Sequence, residues 1–216
     1  MALVDTDPIS EVRDAGTIPC IVVGRRGSER DLTTHCDVVV DHDDELDEIL
    51  TTIERSPQAA LAAVLLLRGV ENRTIEESLI AESTTYSLLQ GGAEFAQWKN
   101  HRVSKERDGL SELEVISERI DDHLVVTLNN PMRRNAYSSK MRTALAEILQ
   151  MALIDETIKS ITLRGAGSNF SSGGDLDEFG SFSDSVVAHI SRLTSNVGTS
   201  LNQLRESLGT KLRCEM

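Results

Sequence analysis

The residues best placed to do chemistry lie in one loop, Arg164-Gly-Ala-Gly-Ser-Asn-Phe-Ser-Ser-Gly-Gly-Asp175, with four glycines in twelve residues. Gly173 and Gly174 have no Cβ, so backbone N–H groups there can come close to a ligand. A loop of this kind can hold developing negative charge, or it can be a simple connection. Thirty residues earlier stands Arg133-Arg134. Guanidinium forks suit phosphate, and the same pair also reads as a solvated surface. Other chemistry-bearing residues are weaker candidates. His35, Cys36, Asp37, Asp41, His42, Asp43 and Asp44 are clustered, but in no zinc-ligand spacing. Gly24-Arg25-Arg26-Gly27 lacks the G-K-[ST] of a P-loop. His189 and Arg192 fall on a long helical pattern, where a surface or core role is expected.

The elements that must position these residues follow from periodicity and punctuation. Apolar runs at 18–23 and 36–40 predict two strands. The acidic start DHDDELDEIL, with Leu46, Ile49, Leu50 and Ile53 at helical spacing, predicts a helix. Ser56-Pro57 starts a helix over 57–68, which Gly69 ends. Thr74 and Glu77 form a capping box for the next helix, and Gly91-Gly92 breaks it before a short helix at 93–101. The polar stretch 102–112 reads as a linker. Strands at 113–120 and 124–128 form a hairpin across Asp121-Asp122. A helix at 138–154, a strand at 158–163, a helix at 184–208 and a strand from 211 to 214 complete an α/β pattern. The expected organisation is an N-terminal α/β module at 1–105 and a second domain at 106–216.

Composition bounds the function. The chain has 216 residues, a net charge of -13 and 3% aromatic residues. This argues against nucleic acid or an anionic membrane as the main partner. The charge is uneven: residues 1–110 carry a net of -10 and residues 111–216 a net of -3. The second half is therefore the better host for an anionic ligand. No apolar run is long enough for a bilayer and no basic leader is present, so a cytoplasmic location is expected. Cys20, Cys36 and Cys214 are odd in number and far apart, which does not read as a disulfide framework.

Residues 124–180 resemble the enoyl-CoA hydratase/isomerase, or crotonase, superfamily. The first matching motif is Asn129-Asn130-Pro131 to Asn135-Ala136, with Asn130 where the family usually has Arg. The second is Gly165, Gly167, Phe170, Ser171, Ser172, Gly173, Gly174, Asp175 and Leu176. Two motifs in this order, each at a strand-to-helix connection, are far more specific than one glycine-rich loop. The resemblance implies a partial crotonase-like ββα spiral, preceded by a smaller, mostly helical α/β module. It implies an acyl-CoA thioester as substrate, with coenzyme A as part of that substrate and no further cofactor or metal. The reaction class is that of a lyase or isomerase, as in fatty acid metabolism. By the same resemblance, the Gly174 N–H is an oxyanion donor for a thioester enolate. The Ser172 carbonyl faces the adenine, and Arg133 and Arg134 lie near the coenzyme phosphates. Ala136, Gly173, Asp175 and Leu176 complete the binding surface, with Asp175 as a helix-start cap rather than a base.

Residues 56–98 resemble the C-terminal helices of a crotonase-family subunit, which makes the first module a diverged relative. The family's second oxyanion donor and its acid/base carboxylates follow the strand at 211–214. The expectation is therefore a homo-oligomer, trimer or hexamer, or a companion C-terminal chain, with polypeptide beyond Met216 needed for activity. The other expected reading is a non-catalytic CoA-binding or subunit-assembly module.

Overall fold

The computed structural model describes residues 2–3, 19–25, 36–103, 112–182 and 184–215. Most of the loop after Gly24, His35 of the acidic cluster, and linker residues 104–111 lie outside that set. The chain forms two compact units, Met1–Trp98 and Lys99–Met216.

In the first unit, β1 (Ala2–Leu3), β2 (Val22–Arg25) and β3 (Val38–Val40) form a parallel sheet in that order. The pairing of residues 2–3 has no counterpart in the apolar pattern. Helix α1 (Asp43–Arg55) begins in three acidic residues that face its positive end. Helix α2 (Pro57–Arg68) carries Pro at its first turn. Ile21, Val23, Val40 and Ile53 make the core, with Ala60, Leu61 and Val64 of α2 packed on it. Thr74 caps α3 (Ile75–Gln90) through the reciprocal Thr74–Glu77 bonds expected from the sequence. Helix α4 (Ala93–His101) follows Gly91-Gly92. Asp37 of the acidic cluster is taken by Arg68, with both carboxylate oxygens at 2.7 Å.

The second unit holds the glycine-rich loop. Strands β4 (Val115–Ile120) and β5 (His123–Leu128) form the expected hairpin, turning at Asp121 with φ +56°. Helix α5 (Ser139–Ile154) crosses to β6 (Ser160–Gly165), which lies parallel to β5, and β7 (Leu212–Glu215) adds parallel to β6. The sheet order is β4-β5-β6-β7. Alternation in β5 sends Leu124, Val126 and Leu128 into the core. There they meet Met141, Leu145 and Leu149 of α5, and Ile161 and Leu163 of β6. This is the strand–strand–helix–strand succession expected for the partial spiral.

Two expectations need correction. The helix over 184–208 is two helices, α6 (Ser185–Thr194) and α7 (Val197–Leu208). The Asn196 side chain accepts from Gly198 N at 2.9 Å and Thr199 N at 3.4 Å, so it caps a new helix in place of continuing the old one. Asp175 caps no helix: a run of turns follows it, and α6 starts under Asp184, which accepts from Val186 N and Val187 N.

Candidate functional site

Chain connectivity brings the two sequence motifs together. The turn 130–137 leads from β5 into α5, and the loop 165–176 leaves β6, the parallel neighbour of β5. Both therefore emerge at the same edge of the sheet, the C-terminal ends of parallel strands.

Asn135 laces them. It is fully buried and sits in the left-handed region at φ +52°. Its Oδ1 accepts from Asn130 N at 2.8 Å. Its Nδ2 donates to the Ala166 carbonyl at 2.9 Å and the Asn169 carbonyl at 2.7 Å. Its own carbonyl accepts from the Ser171 hydroxyl at 2.7 Å, and Ser171 Oγ in turn accepts from Gly173 N at 3.1 Å. Ser172 N donates to the Arg134 carbonyl at 2.9 Å. Asn is well suited here because its amide offers both an acceptor and donors, and because it tolerates the left-handed backbone.

This lacing sets the geometry of Gly174. Tyr137 and Gly174 form an isolated parallel bridge. Tyr137 N donates to the Gly173 carbonyl at 2.8 Å, and Asp175 N donates to the Tyr137 carbonyl at 3.1 Å. The peptides on either side of Gly174 thus face Tyr137, and the Gly174 N–H points the other way. It has no acceptor among the described residues. Gly173 takes φ +88°, and a Cβ there would meet open space. Residues 172–174 are exposed. The arrangement is an outward-facing backbone N–H on a pinned strand segment, which can stabilise negative charge on a bound atom.

The charged residues are placed differently from a simple phosphate clamp. Arg133 forms a fork with Asp175, at 3.0 Å and 3.1 Å, and reaches Asp177 at 2.5 Å. Arg102 pairs with the other oxygen of Asp177 at 2.8 Å. Both aspartate side chains are 5% exposed. Hydrogen bonding from Arg102, and then from Arg133, holds the Asp177 carboxyl below the usual carboxylate range. Asp175 Oδ1 also accepts from Asp177 N at 3.0 Å. Glu178 accepts from Ser139 N at 2.6 Å, at the start of α5. Arg134 is exposed and shows no side-chain partner among the described residues. Ala136 is half-buried beside it, and Leu176 is 46% exposed.

Sequence reasoning missed three participants. Asp177, an acidic residue two positions after Asp175, carries no pattern of its own. Arg102 lies in the stretch read as linker, and its partner is 75 residues away. Glu114 is 4% exposed, and its carboxylate receives a short hydrogen bond from Ser138, the N-cap of α5.

The family model for enoyl-CoA hydratase/isomerase matches residues 121–212, the stretch that contains β5, the Asn135 turn and the glycine-rich loop. The match takes in less than half of the chain, and it makes this segment similar to the crotonase superfamily. A 1,2-epoxyphenylacetyl-CoA isomerase of Escherichia coli strain K12 is 40% identical over 55 residues, covering 26% of this chain and 21% of that protein. A 3-hydroxyisobutyryl-CoA hydrolase-like protein 5 of Arabidopsis thaliana is 35% identical over 77 residues, covering 36% of this chain and 20% of that protein. The chain thus spans about a fifth of the length of these relatives. The solved enoyl-CoA hydratase of Mycobacterium tuberculosis H37Rv is 31% identical over 33% of this chain and 28% of its own, with a TM-score of 0.32. In this crotonase-like segment, Asn130 occupies the position where the motif usually has Arg. It is buried, and its side-chain oxygen has no partner among the described residues. Among the described residues no helix is long and apolar enough to cross a membrane.

Proposed function

We propose that the second unit binds an acyl-CoA thioester and stabilises its enolate through the Gly174 N–H, as part of an enzyme of the enoyl-CoA hydratase/isomerase type. One observation carries the reading: within the family-matched segment, the Gly174 N–H points outward with no acceptor among the described residues, while the peptides around it are pinned to Tyr137. Negative charge grows on a thioester oxygen when the α-proton leaves or a nucleophile adds. A donor already aimed at that oxygen needs no reorganisation, and is worth about 10²–10³ in rate.

The coenzyme's own groups supply the rest of the fit. The exposed Ser172 carbonyl is the acceptor offered to the adenine amino group. Arg134 is the guanidinium offered to the phosphates, while Arg133 holds Asp175 and Asp177. Gly173, Ala136 and Leu176 line the approach. No cofactor is needed beyond the coenzyme A of the substrate.

A second reading, a CoA-binding module without turnover, draws on the carboxylates that follow Gly174. Asp175, Asp177 and Glu178 are each occupied, by Arg133, by Arg102 with Arg133, and by the Ser139 N–H respectively. None is poised as a general base.

The test combines binding and turnover. Crotonyl-CoA is titrated into the protein, with hydrogen exchange read over 170–176 and hydration followed by loss of the conjugated thioester's ultraviolet absorbance. Protection of the loop with turnover supports the enzyme reading. Protection without turnover supports the binding module. No protection at saturating ligand overturns both.

A further inference from the structure

One buried carboxylate stands outside the proposed chemistry. Glu114, the residue before β4, is 4% exposed. Among the described residues its carboxylate has a single partner, the Ser138 hydroxyl, and no cation. Burying a carboxylate is unfavourable, and one neutral donor offsets only part of that cost. Breaches of this kind are typical of positions that serve a site.

Ser138 does not need Glu114 in order to cap α5. Its Oγ accepts from Met141 N at 3.0 Å, which uses a lone pair and leaves the hydroxyl proton free. Glu114 takes that proton, and so ties the start of β4 to the start of α5, 24 residues away. The same short segment grips the other end of the turn. The Glu114 carbonyl accepts from Asn129 N at 2.7 Å, and the Leu113 carbonyl accepts from Asn129 Nδ2 at 2.9 Å. The Glu112 carbonyl accepts from Lys140 Nζ at 2.9 Å. Both ends of the turn between β5 and α5 thus rest on residues 112–114, while Asn135 laces its middle to the glycine-rich loop.

Tyr137 stands between these two attachments. It directly precedes Ser138, and its half-buried ring packs on the core. Its N–H and carbonyl hold Gly173 and Asp175, on either side of Gly174. A shift of Ser138 therefore moves Tyr137, and with it the segment that aims the Gly174 N–H. We propose that Glu114 is a positioning residue for that N–H, acting through Ser138 and Tyr137. That the N–H serves a thioester rests on the function proposed above; the coupling of Glu114 to the loop does not. An oxyanion donor works by being aimed before the charge develops, so lost aim should lower kcat rather than raise KM.

The experiment pairs amide exchange, read residue by residue by NMR, with crotonyl-CoA hydration kinetics. In Glu114→Ala the Tyr137 and Asp175 amides should exchange about ten- to a hundredfold faster, the range for a lost charge-assisted hydrogen bond, while the amides of Val126 and Ile161 in the sheet keep their rates. Hydration should lose kcat with KM held within about twofold. Glu114→Gln, which keeps an acceptor for Ser138, should restore both. Wild-type exchange at Tyr137 and Asp175 in Glu114→Ala overturns the proposal. So does an equal rise at Val126 and Ile161, which would make Glu114 a support of the fold alone, and so does a raised KM at unchanged kcat. If the wild type does not hydrate crotonyl-CoA, the enzyme reading fails, and the exchange rates by themselves decide the coupling. Should Glu114→Ala not fold, Glu114→Asp, whose carboxylate is drawn back by one methylene, is compared with Glu114→Gln. Faster exchange at Tyr137 and Asp175 in the Asp variant alone supports the coupling, and wild-type rates in both variants overturn it.

Discussion

Arg133 closes on both oxygens of Asp175, at 3.0 Å and 3.1 Å, across 42 residues of sequence. The fork ties the turn after β5 to the residue that follows Gly174, and Asp177 with Arg102 extends it. Arg133→Ala leaves Asp175, at 5% exposure, without its counter-charge. The loss of stability is expected to be about 1–3 kcal/mol, the cost of an unsatisfied partner in a charged pair that is partly open to water. Chemical denaturation measures it. Hydrogen exchange should show the 173–177 segment loosening, and affinity for a CoA thioester should fall with it. Unaltered stability and exchange would mean that the fork does not hold the loop.

Asn135 should be the least replaceable side chain of the site. Asn135→Ala strands the Asn130 N–H and the Ala166 and Asn169 carbonyls, and it puts a non-glycine, non-asparagine residue at φ +52°. We expect destabilisation of about 3 kcal/mol. Asn135→Asp keeps the acceptor for Asn130 but turns a negative group on two carbonyls, so it should be no better. Urea midpoints for the two variants check this, and a midpoint within error of wild type for either one would refute it.

The two adjacent glycines should respond differently. Gly173→Ala meets no steric neighbour but is strained at φ +88°, so it should cost about 1 kcal/mol in folding stability. Gly174→Ala needs the Phe179 ring, 3.0 Å from the added methyl, to shift slightly, and it keeps the N–H. Gly174→Pro removes the N–H without breaking a hydrogen bond among the described residues, so the folded protein should survive. On the proposed mechanism it loses about 10²–10³ in thioester turnover. A Gly174→Pro variant that folds and turns over normally would exclude this N–H as the oxyanion donor.

Acid should loosen the loop before it unfolds the sheet. Asp177 is held below the usual carboxylate range by Arg102 and then Arg133. Its folded-state value is depressed, so its contribution is present above the unfolded value of about 3.9 and is lost as pH falls through the folded one. Melting temperature should therefore drop as pH goes below about 4. Asp177→Asn should flatten that part of the curve. An identical acid profile in the variant would show that Asp177 does not contribute.

At the alkaline end the sign reverses. The Tyr137 hydroxyl titrates at about 12 in the folded state, above the ordinary value of 10, so its contribution is intact below pH 10 and disappears between 10 and about 12. Tyr137→Phe should remove the highest phenol step from an ultraviolet titration. If that step persists, the tyrosine is not buried in the way described.

The amino-acid sequence alone determined the local elements whose causes are local. Pro57 at a helix start, the Thr74–Glu77 box and the alternation in β5 all act within a few residues, so spacing reveals them. It also carried both motifs of the site, since glycines and asparagines at positions needing special backbone leave a readable trace. Tertiary structure decided what the charges do. Arg133 looked like a phosphate ligand because an arginine pair beside a turn shows nothing of its partners. Only the parallel pairing of β5 with β6 brings Asp175 and Asp177 within reach of it. The break at Ser195-Asn196 was hidden for a similar reason. An apolar stripe runs through both helices, and whether an asparagine continues a helix or caps a new one depends on where its side chain finds donors. Arg142 stands at the far end of that scale. Its type and position say only that it lies on a helix, and its partial burial with no carboxylate among the described residues is a property of the packed chain.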